Sequence, residues 1–170
     1  MGIMKFKSLL CLVCACAALP AGAQADVQST DQMIEQLKAP RTRTRSLGGA
    51  TRNLSVEAAP SLSLLIQFDF DSARIRPESQ QPLTNLARAL QSPELQRSKF
   101  AVEGHTDAKG SVDYNLKLSA QRAQAVRYYL KSQGVDEDRL VATGKGSSEL
   151  ANDADPLAAE NRRVRIVNLN

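Results

Sequence analysis

Residues Glu103 to Val126 read EGHTDAKGSVDYNLKLSAQRAQAV, and their order decides the fold. An apolar strand signal, Phe100-Ala101-Val102, leads into a loop carrying His105, Thr106, Asp107 and Gly110. A helix is expected next, from about Val112 to Gln133, closed by Gly134. At about 100° per residue, Leu118, Ala125, Val126 and Tyr129 share one side, and Ala123 and Leu130 extend it. Lys117, Gln124, Tyr128 and Lys131 lie opposite. Arg122 falls inside the apolar sector. A guanidinium keeps its charge, so a cation aimed inward needs a carboxylate or phosphate partner. Asp107 is the best local candidate, because its loop leads into the same helix. Two readings follow: a structural ion pair, or the two poles of a ligand site.

The flanking sequence builds a frame for this unit. Leu62, Leu64, Ile66, Phe68 and Phe70 alternate with polar residues, apart from Leu65, which predicts a strand with one buried face. Asp71-Ser72-Ala73 ends it. Pro77 suits the first turn of a helix, and Glu78 favours its positive end. Leu83, Leu86, Ala87 and Leu90 keep helical spacing until Pro93 stops it. Phe100 to Gly104 is the second strand, Leu140 to Ala142 a short third, and Val164, Ile166 and Val167 the last. Gly144-Lys145-Gly146 reads as a turn and lacks the spacing of a phosphate loop. The polar stretch Asn152 to Pro156 precedes a short helical turn. The pattern predicts an α+β fold, β-α-β-α-β…β: a layered sheet of about four strands packed on two or three helices.

The chain's 170 residues give one domain and some extra length. Lys5 and Lys7, the apolar run Leu9 to Leu19 and Ala23-Gln24-Ala25 form a signal peptide over residues 1–25, with cleavage before Asp26. Cys11, Cys14 and Cys16 all lie inside it, so they make neither a disulfide framework nor a metal site. A competing reading lipidates Cys16 after Val13-Cys14-Ala15. Residues 26–61 read as a flexible tether with one short helical pattern (Met33, Ile34, Leu37). Its Arg41, Arg43 and Arg45 are read as part of a solvated linker rather than a lipid-facing patch. Residues 62–170 form the domain. No segment of the mature chain is long and apolar enough for a membrane helix. The formal charge of +4 falls by two with Lys5 and Lys7, which argues against a nucleic-acid partner.

Catalytic constellations are missing from the pattern. The chain has one histidine, His105, and no G-x-S-x-G elbow. A zinc site needs three or four ligands, and His105-x-Asp107 supplies two. His105 therefore reads as a loop hydrogen-bonder, and no catalytic residue, metal or cofactor is assigned. Asp107 and Arg122 would instead match a small zwitterion. The carboxylate holds an ammonium and the guanidinium grips a carboxylate in a fork. Asn115 and backbone N–H groups at the helix start add donors.

Gly104-His105-Thr106-Asp107, Gly110, Tyr114-Asn115, Leu118-Ser119, Arg122-Ala123 and Val126 resemble the signature of the OmpA-like peptidoglycan-associated domain family. Phe68-Asp69-Phe70-Asp71-Ser72-Ala73 and Asn161-Arg162-Arg163-Val164 extend the resemblance over roughly residues 62–170. The family includes the OmpA C-terminal domain, Pal and the periplasmic part of MotB. The resemblance implies an OmpA-like domain in the periplasm, associated with the outer membrane, that binds peptidoglycan through meso-diaminopimelate in its stem peptide. It implies Asp107 and Arg122 as the main contacts, with Phe70, Asp71 and Ser72 lining the pocket from the first strand and Asn115 and Leu118 from the helix. The other reading is a structural envelope protein that mainly contacts another protein. The oligomeric state is not fixed by the sequence.

Overall fold

A computed structural model describes residues 28–38 and 59–170. The signal peptide, the three cysteines and Arg41, Arg43 and Arg45 lie outside the described residues. Four strands form one sheet: β1 (Ser61–Leu64), β2 (Phe100–His105), β3 (Leu140–Gly146) and β4 (Val164–Asn168), in the order β1-β4-β2-β3. β2 and β3 are parallel, and β4 runs antiparallel to both β1 and β2. The helices are α1 (Thr30–Leu37), α2 (Gln80–Leu90) and α3 (Val112–Ser132). The α+β expectation holds. Leu62, Leu64, Phe100, Val102, Val164 and Ile166 from the strands meet Leu83, Leu86, Leu90, Ala123, Val126 and Leu130 from the helices in one core.

Two expected strand features differ. β1 ends at Leu64, well short of Phe70. The chain then folds back on itself: Phe68 bridges Ile75, Asp69 N–H donates to Arg74 O and Arg76 N–H to Gln67 O. Asp71 sits at the tip with a positive φ of 49°. Phe70 is therefore 99% exposed rather than on a buried face, because a hairpin tip has no sheet beneath it. Gly144-Lys145-Gly146, expected as a turn, completes β3. Its role is close approach. Gly104 and Gly144 are partners in the sheet and both face α3. A Cβ on Gly104 would lie 2.1 Å from Ser119 O, and one on Gly144 would lie 2.5 Å from Ala120 N. The helix backbone thus rests directly on two strands.

That contact also rotates the buried stripe of α3. Asn115, Ser119, Ala123, Val126 and Leu130 are buried, while Leu118, Arg122, Ala125 and Tyr129 form a half-buried flank. Apolar identity alone mispositions the stripe, since small or internally bonded polar residues occupy its start. Ser119 Oγ accepts from Gly146 N–H at 2.9 Å and donates to Leu116 O at 2.8 Å.

Within the expected tether, residues 30–37 are packed rather than loose. Ser29 caps α1 in a reciprocal box with Gln32. Met33 and Leu37 are fully buried against α2, β1 and β4. Asn168 Nδ2 donates to Leu37 O at 2.8 Å, and Asn85 Nδ2 to Gln28 O at 3.2 Å. Burying two such side chains stabilises by about 1.5–3 kcal/mol each.

Candidate functional site

The loop after β2 is held from several sides. Thr106 N–H donates to Gly146 O and Ala108 N–H to Pro156 O. Ser111 caps α3 by accepting from Tyr114 N–H. Asn115, 2% exposed, donates through Nδ2 to Asp107 O at 3.3 Å and Lys109 O at 3.0 Å. Asn115 is thus committed to bracing the loop. The Asp107 carboxylate projects from this braced segment. Its Oδ1 accepts from Lys109 N–H at 3.2 Å, and its Oδ2 lies 2.9 Å from Arg162 Nη1.

Asp107 is therefore paired with Arg162, not with Arg122 as local sequence suggests. Arg162 lies two residues before β4, 55 positions along the chain from Asp107. It is fixed by its neighbour Asn161, which is fully buried. Asn161 Oδ1 accepts from Ala151 and Asn152 N–H, and its Nδ2 donates to Asn152 O and Asp155 O. All four of its hydrogen-bonding positions are used to clamp that loop.

Arg122 does face inward, and it makes no ion pair among the described residues. Its Nε donates to Ser72 O at 3.1 Å, and its guanidinium lies 4.9 Å over the Phe68 ring. Burial pushes the guanidinium below its ordinary pKa. Tyr114, Asp107 and Asp71 oppose that shift, and Arg162 adds to it. A guanidinium still stays charged. Tyr114 OH donates to Asp71 Oδ1, and that bond raises the tyrosine's pKa. Arg122, Arg76 and Arg162 share a cavity of about 370 Å³ with Leu65, Ile66, Gln67, Phe68 and Ala159. Three guanidiniums on an apolar wall suit an anionic group such as a carboxylate. Asp107, bonded to one of them, supplies the opposite charge.

Of the residues expected at the site, Arg122 lines the cavity and Ser72 anchors it through its carbonyl. Asp107 reaches it through Arg162. Asp71 holds Tyr114, and Leu118 lies half-buried one turn before Arg122. Phe70 projects into solvent at the hairpin tip. Phe68 and Arg162 stand in the motifs that carry the family resemblance but have no site role from the sequence, and Arg76 is not singled out there. The signal for Arg162 is its place in Asn161-Arg162-Arg163-Val164, ahead of a strand.

A second polar group sits on the sheet face opposite α3. His105 is the last residue of β2, buried to 2% exposure, rather than a loop hydrogen-bonder. Burial, reinforced by Arg163, pushes its pKa down to about 4. The imidazole is therefore neutral at neutral pH.

The OmpA family matches residues 67–164, from the hairpin after β1 to the start of β4. The chain belongs to the OmpA family. Among its relatives, the outer membrane protein A of Bordetella avium is 38% identical over 101 residues, covering 58% of this chain and 51% of that protein. The peptidoglycan-associated lipoprotein of Brucella melitensis is 36% identical over 119 residues, covering 69% of this chain and 70% of that one. This chain therefore spans about half the length of the first relative. The crystal structure of the peptidoglycan-associated lipoprotein from Burkholderia pseudomallei superposes with a TM-score of 0.53 at 32% identity. That match covers 62% of this chain and 88% of the other. The periplasmic domain of Helicobacter pylori MotB gives 0.56 at 25% identity, covering 66% and 77%. No described helix is long and apolar enough to cross a membrane.

Proposed function

We propose that this OmpA-family domain binds peptidoglycan without catalysis, taking the zwitterionic end of meso-diaminopimelate between Arg122 and the Asp107–Arg162 pair. The observation that carries the reading is Arg122. It is half-buried and held inward by Ser72 O and Phe68, with no carboxylate of the described residues bound to it. A guanidinium kept in that state is ready for a ligand carboxylate. Asp107 takes the ligand ammonium, since each carboxylate oxygen accepts more than one hydrogen bond. Arg162 holds Asp107 in place before the ligand arrives. The peptidoglycan-associated lipoproteins among the relatives support this choice of polymer.

Each charge-assisted hydrogen bond contributes about 1.5–3 kcal/mol. After the cost of association, a single stem peptide is held with a Kd on the order of micromolar to millimolar. The repeating ligand of the sacculus converts such sites into lasting attachment. Residues 1–25, taken as a signal peptide, export the protein to the side of the membrane where that polymer lies. Residues 62–170 carry the binding, and α1 is an N-terminal addition to the same body.

The test is co-sedimentation with purified sacculi. Wild type should pellet. Asp107→Ala and Arg122→Ala, checked as folded by circular dichroism, should remain in the supernatant. Variants that pellet like wild type would remove the site from the account.

A further inference from the structure

None of the residues around His105 lines the Arg122 cavity, yet they gather a second set of chemical groups. Glu103 and His105 come from β2, and Glu149 comes from the loop after β3. One ligand atom from each lies within 4.8 Å of the others. His105 Nε2 is 3.9 Å from Glu103 Oε2. Both ring nitrogens of His105 and Oε2 of Glu103 are buried without a hydrogen-bond partner among the described residues. Buried polar atoms are nearly always paired. The two ring nitrogens point apart, so one of them, Nε2, faces the unpaired Glu103 Oε2, and that facing pair marks a ligand's position. An imidazole with two carboxylates suits a first-row divalent cation, whose bonds to N and O run about 2.0–2.2 Å. Two ligand atoms nearly 4 Å apart can straddle such an ion.

The competing charges are explicit. Lys145 Nζ lies 3.0 Å from Glu149 Oε1 and 3.5 Å from Glu103 Oε1. Arg165 Nη1 lies 3.6 Å and 3.9 Å from the same two carboxylates. Arg163 donates to Glu149 O. Of the contacts to the two carboxylates, only Lys145–Glu149 is a close hydrogen bond, and the lysine side chain is 31% exposed on a flexible stem. It can swing out. We propose that Glu103, His105 and Glu149 form a site for a first-row divalent cation, Zn²⁺ being the probe, which displaces Lys145 from the two carboxylates. Such an ion ties the end of β2 to the loop after β3, two residues from Asp107.

His105 is the chain's single histidine, so its imidazole is a unique reporter. The experiment titrates ZnCl₂ into the full chain, with Cys11, Cys14 and Cys16 alkylated, and follows the imidazole resonances by NMR. The wild-type resonances should shift. Lys145→Gln removes the cation nearest the two carboxylates, leaving Arg163 and Arg165, and should half-saturate at roughly tenfold lower Zn²⁺ or less. Glu149→Gln, an exposed change that spares the fold, should need about tenfold more. Resonances that stay unmoved up to millimolar Zn²⁺ in both wild type and Lys145→Gln would overturn the site and leave the orphan atoms to ordered water. Identical half-saturation in all three proteins would overturn it too, since the ring alone would then hold the ion.

Discussion

Replacing Arg122 by methionine separates ligand binding from structural support. The substitution keeps most of the volume and removes the charge. In the free protein it loses the bond to Ser72 O and the stacking over Phe68. Those contacts are worth about 1.5–3 kcal/mol and 0.5–2 kcal/mol. Against them stand the relief of burying a cation that has no carboxylate on it, and a new sulfur–aromatic contact of about 0.3–1.5 kcal/mol. The terms nearly cancel, so stability should change by no more than about 1–2 kcal/mol, or a few degrees in Tm. Binding should behave differently. Loss of one bidentate, charge-assisted contact to the ligand costs at least about 1.5 kcal/mol, or more than tenfold in Kd. Thermal melts and calorimetric titration with a meso-diaminopimelate stem peptide read the two quantities separately. A Tm drop of more than about 10 °C would equal the loss of a buried ion pair's partner, about 3–5 kcal/mol, and would refute the reasoning. An unchanged Kd would refute it equally.

Two further outcomes test the frame. Gly144→Ala places a Cβ 2.5 Å from Ala120 N and 2.6 Å from Leu116 O, so α3 must lift by about 1 Å; melts should show a loss of about 1–3 kcal/mol, with weaker sacculus binding because Arg122 moves with the helix. Leu37→Ala empties a fully buried position under α1 and should cost about 2–5 kcal/mol by denaturant unfolding, whereas an unstable α1 merely resting on the domain would give almost no change.

Local periodicity made much of this fold readable. α2, α3, β2 and β4 follow from spacing, prolines and caps within single segments. What escaped depends on contacts distant in sequence. Alternation through Phe70 suggests a long strand, but the chain reverses after Phe68 and exposes the Phe70 ring. Gly144 looks like a turn because a strand seldom omits side chains; only the close lie of α3 explains the omission. The apolar positions of α1 were visible, while the surface they bury on was not. At the site, the inward tilt of Arg122 could be read from one helix. The partner of Asp107 could not, since Arg162 comes from the far end of the chain. The grouping of Glu149 with Glu103 and His105 likewise needs the sheet to be assembled.

The central claim is that the cavity recognises both charges at the end of meso-diaminopimelate. Lysine has the same ammonium and lacks that terminal carboxylate. The most direct measurement compares calorimetric titrations of two stem peptides that differ only at this residue. The meso-diaminopimelate peptide should bind with a Kd on the order of micromolar to millimolar, and the lysine peptide at least about tenfold more weakly. Equal affinities, or none for either peptide, would contradict the account.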